Sequence, residues 1–205
     1  MFMDDLNKNF KKDEPIFIED ILEALKEYSR ATIFRNIAKA KENNELKQFS
    51  KGIYYMPNKE NDDFITDSEV IEKRYLCDDN QEFGLYTGLQ LLNYFNVTTQ
   101  IPVVLEIVTN KEGSRKREIN LNGKKYILRK SRIEITNDNF DAYRIVELMN
   151  NLEVDEKLDN LAKETIIDYM KENNVTKNDL LEICSYFPSK ANKNLIGSGV
   201  LNDIW

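Results

Sequence analysis

Apolar residues recur at helical spacing early in the chain. Ile18, Ile21, Leu22 and Leu25 fall at i, i+3, i+4 and i+7, the mark of a helix that buries one stripe. Pro15 separates it from a shorter helix over Asp4–Lys12. Glu19 and Asp20 occupy its first turn, where carboxylates suit the helix dipole. After a turn at Glu27-Tyr28, Ser29 is a good N-cap for a helix running to about Asn43. Ile33, Phe34, Ile37 and Ala40 lie on one side of that helix, and Thr32, Arg35, Asn36, Lys39 and Asn43 on the other. Leu46–Phe49 and Ile53–Met56 then read as strands joined by Ser50-Lys51-Gly52, and Pro57 ends the hairpin. Helix, turn, basic helix and glycine hairpin is the order of a winged helix-turn-helix, expected over residues 1–58.

The polar, acidic stretch Asn58–Asp67 reads as a linker, and residues 67–205 as a second, mixed domain. Its pattern predicts helices over about Asp67–Tyr75 and Gly84–Phe95, the latter with Leu85, Leu89 and Leu92 on one face. Asn96 tolerates the left-handed conformation that ends a helix. From Val103 the period changes to two. Val103–Thr109, Arg117–Leu121 and Lys124–Arg129 read as strands, Asn122-Gly123 as a tight hairpin turn, and Ile133–Thr136 as a further strand. This β-rich part spans about 101–136. A helical tail at about 140–203 follows: Phe140–Leu152, Asp155–Asn173, Asn178–Tyr186 behind a Thr176 cap, and a last helix from Ser189 toward Leu201, broken at Gly197-Ser198-Gly199. Met149 and Met170 are expected in the core, and Tyr54 and Tyr55 against the wing. The fold class is therefore α+β, with an N-terminal winged helix-turn-helix followed by β-hairpins and a helical tail.

Composition narrows the chemistry. Of 205 residues 41% are apolar, enough for a core, yet no run of 18 apolar residues is present to span a membrane. The opening Met1-Phe2-Met3-Asp4-Asp5 is acidic and lacks the apolar segment of a secretory signal, so a cytoplasmic protein is expected. Cys77 and Cys184 stand far apart, in no metal-ligand spacing, and read as reduced thiols. Histidine is absent, which removes the commonest general base and most zinc sites. Glu106, with Asp78, Asp79 and Glu82 upstream, suggests a magnesium-dependent nuclease, but Ile107 and Val108 follow it where that chemistry needs a nearby lysine. The expectation is a non-enzyme without metal or cofactor.

Net charge is −7, and its distribution matters more than its sum. Residues 28–51 hold six basic and two acidic side chains, and residues 111–132 hold nine and two, while 133–205 hold seven and fourteen. The first cluster falls on the helix 29–43 and the hairpin that follows it. A helix of this width enters the major groove, where Arg30 and Arg35 suit guanine, Asn36 suits adenine, and Ser29, Thr32 and Lys39 suit phosphate. Lys47 and Lys51 on the hairpin are placed for the backbone or minor groove. The second cluster is Arg115, Lys116 and Arg117, then Lys124, Lys125, Arg129 and Lys130, on adjacent strands and their turns. Period two would point Arg115 and Arg117 together. This island is either a second DNA-contacting surface or a charged hairpin edge that resists aggregation or pairs with the acidic tail.

The string Lys51-Gly52-Ile53-Tyr54-Tyr55-Met56-Pro57 resembles the wing of the AbiEi-type antitoxins of type IV toxin–antitoxin systems. Downstream, Leu92-Asn93-Tyr94-Phe95-Asn96-Val97-Thr98-Thr99-Gln100-Ile101-Pro102, then Gly113-Ser114-Arg115 and the Asn122-Gly123 turn, resemble the middle region of that family and its close uncharacterised relatives, with Asn96 in place of glycine. The resemblance covers roughly residues 15–135. It implies a two-domain repressor that binds inverted repeats of double-stranded DNA in its own promoter. It also implies a phage abortive-infection role opposing a nucleotidyltransferase toxin without a stable complex. The alternative is an antitoxin that neutralises its toxin by direct contact through the acidic C-terminal half.

Overall fold

The computed structural model describes residues 2–58, 64–153 and 157–202. The chain is mixed α and β, and its contacts divide it into two compact units between Lys73 and Arg74. Part of the expected linker (59–63), the expected helix start at Asp155 and the terminal Trp205 lie outside the described residues.

The first unit opens with α1 (Phe2–Asn9), β1 (Ile16–Phe17), α2 (Ile18–Ala24) and α3 (Arg30–Glu42). β2 (Lys47–Ser50), β3 (Ile53–Tyr55) and α4 (Asp67–Ile71) follow. The helices match the apolar periodicity within a few residues. β1 was not foreseen, because two residues carry no period. It pairs Ile16 with Tyr54 and Phe17 with Ile53, which makes β3 the central strand of an antiparallel sheet of order β1-β3-β2. Ile53, Tyr54 and Tyr55 are all buried instead of alternating, so both faces of this short strand are covered. Gly52 takes φ +79° in the β2–β3 turn, and its carbonyl accepts a hydrogen bond from Ile18 N–H at 2.9 Å. Leu6, Ile16, Ile21, Leu25, Ile33, Ile37, Ala40, Leu46, Tyr54 and Met56 form one apolar core across these elements. A Thr66–Glu69 capping box starts α4, which continues as one π-helical turn over Glu72–Leu76.

The second unit begins with a short hairpin, β4 (Cys77–Asp78) and β5 (Gln81–Glu82), turned by Asp79 and Asn80 at positive φ. β6 (Gly84–Thr87), α5 (Leu89–Tyr94), β7 (Leu105–Thr109), β8 (Arg117–Leu121) and β9 (Lys124–Lys130) come next. The tail is α6 (Phe140–Asn151), α7 (Asn160–Glu172), α8 (Lys177–Cys184) and α9 (Ser189–Gly197). The sheet has the order β6-β7-β9-β8, antiparallel except for the parallel pair β7–β9. Caps at Thr176, the positive-φ Asn96 and the turn Asn122-Gly123 stand where the residue chemistry put them. Asp159, Thr176 and Ser29 each accept a backbone N–H with the side chain.

Three expectations are corrected. Gly84–Phe95 is not one helix: Gly84–Thr87 pairs antiparallel with β7 as a strand, and Gly88 at φ +63° breaks the chain before α5. Leu89 is consequently exposed rather than aligned with Leu85. The first sheet residue of the next strand is Leu105, since Val103 is 98% exposed and has no ladder to join. Ile133–Thr136 is a loop, held by Asn110, whose side chain donates to Ile135 O at 2.7 Å and accepts from Ile135 N–H at 2.9 Å.

One face of this sheet presents Leu85, Thr87, Glu106, Val108 and Arg129, since residues two apart or ladder partners share a side. Leu85 and Val108 join the core built around α6, where Tyr143, Ile145, Val146, Leu148 and Met149 are fully buried. Met170 joins them, as expected.

Gly84 sets the tightest approach. A Cβ there would stand 2.0 Å from Tyr75 O and 2.9 Å from Val108 O, both backbone atoms. Gly84→Ala is expected to destabilise the second unit by about 3 kcal/mol, at the upper end for overpacking. Gly113→Ala, where nothing lies within 4 Å of the new methyl, should change stability by less than about 0.5 kcal/mol. Urea unfolding of both variants checks the pair.

Candidate nucleic-acid interface

Ser29 caps α3 with its hydroxyl, which accepts Thr32 N–H at 3.2 Å and shares a 2.8 Å hydrogen bond with the Thr32 hydroxyl. The helix buries Ile33, Ile37 and Ala40. Its other side carries Arg30, Ala31, Phe34, Arg35, Ala38, Lys39 and Lys41, all exposed, with Thr32 and Asn36 half-buried at the margin. The predicted DNA-facing residues of α3 thus reach solvent on one element.

Phe34 departs from expectation. Its apolar spacing predicts burial, yet it is 42% exposed. The buried stripe centres on positions 33, 37 and 40, and residue 34 lies about 100° round from 33, at the edge of that stripe. The Arg30 guanidinium sits 5.7 Å from its ring centroid, a cation–π contact between two exposed side chains. Ala31 and Ala38 flank Phe34 at helical spacing, so an apolar ridge runs through the cationic face. A residue type at the stripe's edge was the available signal, and hydrophobicity alone hid it.

The hairpin lysines are less alike than the sequence suggested. Lys47 is half-buried, with Nζ 5.1 Å from the Phe64 ring. Lys51 is exposed in the turn at the other end of β2. Lys41, not singled out from sequence, donates to the Gln48 side chain and ties the end of α3 to β2.

The basic island in the second unit does not form one surface. Strand alternation puts Arg117 and Lys124 on one face of the sheet and Lys125 and Arg129 on the other. β8 starts only at Arg117, so the period-two argument that joined Arg115 to it does not apply. Arg117 pairs with Glu112 at 2.7 Å, and Arg129 with Glu106 at 2.6 Å. These partners lie on or just after β7, not in the acidic tail. Arg115, Lys116, Lys125 and Lys130 are exposed. Glu106, the carboxylate weighed for metal chemistry, is thus engaged with a guanidinium.

Glu112 is the electrostatic centre of this loop. It is 5% exposed. Burial alone would raise its pKa, but hydrogen bonds from Ser114 N–H and hydroxyl and the Arg117 guanidinium outweigh that and hold it at about 2. Compared with known proteins, the chain matches no family model and no curated relative.

The Glu112 pKa lies below its ordinary 4.5 in the folded chain. The stability it contributes is therefore complete above pH 4.5 and drains away as pH falls toward 2. Glu112→Gln is expected to flatten the fall of the second unit's urea midpoint across that window. Parallel pH curves for parent and variant would contradict the assignment.

Proposed function

We propose that the chain is a sequence-specific DNA-binding repressor whose first unit acts as a winged helix-turn-helix, with α3 as the reading helix and β2–β3 as the wing. The observation that carries this reading is the outward face of α3. It is capped, solvent-exposed and cationic, and its opposite side is fully committed to the core. On this reading Arg30, Arg35 and Asn36 meet base edges, Ser29, Thr32 and Lys39 meet phosphates, and Lys47 and Lys51 contact the flanking backbone. The exposed ridge of Ala31, Phe34 and Ala38 adds an apolar element suited to thymine methyl groups.

With the resemblance to AbiEi-type antitoxins, the reading extends to a cytoplasmic autorepressor. It would occupy inverted repeats in its own promoter and act as the antitoxin of a type IV, phage abortive-infection system against a nucleotidyltransferase toxin. Among the described residues no helix is long and apolar enough to cross a membrane. A second reading, neutralisation of the toxin by contact, draws support from exposed Leu161, Leu181 and Ile196 on the tail helices. Co-purification with the toxin favours that reading, and repression without a complex favours the first.

The test uses a duplex selected from a random pool by the full-length protein. Arg35→Ala with Lys39→Ala is expected to abolish its retention in a mobility-shift assay while circular dichroism stays unchanged. Sequence-specific binding by that double variant would overturn the placement of α3. Lys39→Ala alone should lower the salt slope by about 1. Replacing thymine by uracil in the selected site removes only methyl groups, each worth about 0.8 kcal/mol when buried. The parent should lose roughly fourfold per contact, and Phe34→Ala should bind both duplexes alike. A parent indifferent to the replacement would remove Phe34 from the base-reading set and leave the cationic contacts standing.

A further inference from the structure

The second unit contains a cleft of about 520 Å³ between the end of β9, the loop after it and α6. Its rim is cationic: Arg115, Lys130 and Arg132 line it together with Arg129. Its floor is a carboxyl group. Glu147 is 5% exposed, and among the described residues no lysine or arginine stands within ion-pair distance of it. Instead the Thr87 hydroxyl donates to Glu147 Oε1 at 2.7 Å and the Asn151 amide at 3.2 Å, and the same amide donates to Thr87 Oγ1 at 2.8 Å. Burial raises the Glu147 pKa against these neutral donors and the charges of Arg132 and Arg129 nearby, and acids perturbed in this way cluster at functional sites.

Part of the rim is held in place. Arg132 N–H donates to the Tyr143 hydroxyl at 3.1 Å, and Tyr143 is itself fully buried. Ser131 Oγ donates to Asn110 Oδ1 at 2.8 Å, the same atom that holds Ile135 N–H. The Arg132 guanidinium rests 5.0 Å above the Phe187 ring, and Arg129 is fixed by Glu106. Side chains held in this way lose little freedom when a ligand arrives.

We propose that this cleft binds a small phosphate ester whose other end carries N–H or O–H donors. The phosphate lies against Arg115, Lys130 and Arg132, and the donor end reaches Glu147 and the half-buried Asn150. The polarity of the site decides the class. A bare polyanion, or the backbone of a duplex, leaves the carboxyl floor without a donor, whereas a ligand with an anionic head and a donor edge satisfies both ends. The volume falls within the range of small-molecule sites and accommodates a nucleotide or a sugar phosphate. The inference rests on the second unit alone and is independent of DNA reading by α3.

Isothermal titration calorimetry of the full-length protein tests it, with the four ribonucleoside monophosphates, ribose 5-phosphate, inorganic phosphate, tripolyphosphate and a non-specific duplex as probes. At least one phosphate ester is expected to bind one per chain, at least tenfold more tightly than inorganic phosphate. Preference for one nucleotide over ribose 5-phosphate assigns a base to the donor end; equal affinity assigns the sugar. Lys130→Ala with Arg132→Ala should weaken that ligand at least tenfold. Glu147→Gln should weaken it while leaving tripolyphosphate unaffected, and the more exposed Asn150→Ala gives the same comparison where the buried substitution does not fold. Arg35→Ala with Lys39→Ala should bind the ligand unchanged. The proposal fails if no ester binds below millimolar concentration. It fails equally if tripolyphosphate, or duplex offered to the Arg35→Ala with Lys39→Ala variant, matches the ester and Asn150→Ala changes nothing, for the rim is then only a polyanion patch.

Discussion

Ile33, Ile37 and Ala40 are buried in the same apolar cluster as Leu6, Ile21 and Leu25, and that burial settles which side of α3 meets water. Rotating the helix by one residue would sink Lys39 or Lys41 in place of Ala40 and expose both Ile33 and Ile37. Each isoleucine is worth about 2 kcal/mol in the core, so the orientation is held by several kilocalories. The cationic face needs no device of its own to stay exposed. The cap at Ser29 fixes where the helix begins, and the contact of Lys41 with Gln48 fixes its far end against β2.

The same logic runs through the second unit with different actors. Its positive charges are distributed by strand alternation and then answered locally: Arg117 by Glu112, Arg129 by Glu106. Charge counted along the sequence exaggerated the island as a single surface, since neighbours in sequence stand on opposite sides of a strand. Of what remains outward, Arg115, Lys130 and Arg132 line a cleft with an acid at its base. The parallel pairing of β7 with β9, around the intervening β8, brings Val108 and Arg129 side by side as ladder partners. α6 then supplies Tyr143 and Glu147 from above the same face.

The helices of the first unit were legible because Ile18, Ile21, Leu25 and Ile33, Ile37, Ala40 repeat at 3.6 residues and Ser29 is an unambiguous cap. The Asn122-Gly123 turn was legible for the same local reason. β1 was not, because Ile16-Phe17 is too short to show a period and gains its partner from residues nearly forty positions away. Gly84–Thr87 reads as helix in the sequence because Leu85, Leu89 and Leu92 mimic helical spacing. Non-local strand pairing and the close backbone approach at Gly84 override that pattern, and neither is visible in a window of a dozen residues. The cleft was invisible for a related reason: Glu147 sits in an apolar helix, and only the fold brings Thr87 and Asn151 to it.

Backbone handedness has a consequence for the chain before it folds. Among the described residues, every non-glycine with positive φ is an asparagine or an aspartate: Asp13, Asn44, Asp79, Asn80, Asn96, Asn122 and Asn174. These side chains enter the left-handed region at modest cost, yet they roam less widely than glycine when the polypeptide is denatured. A molecule with only seven glycines therefore surrenders less disorder at its corners on folding. Its bends are partly prepaid in the unfolded ensemble.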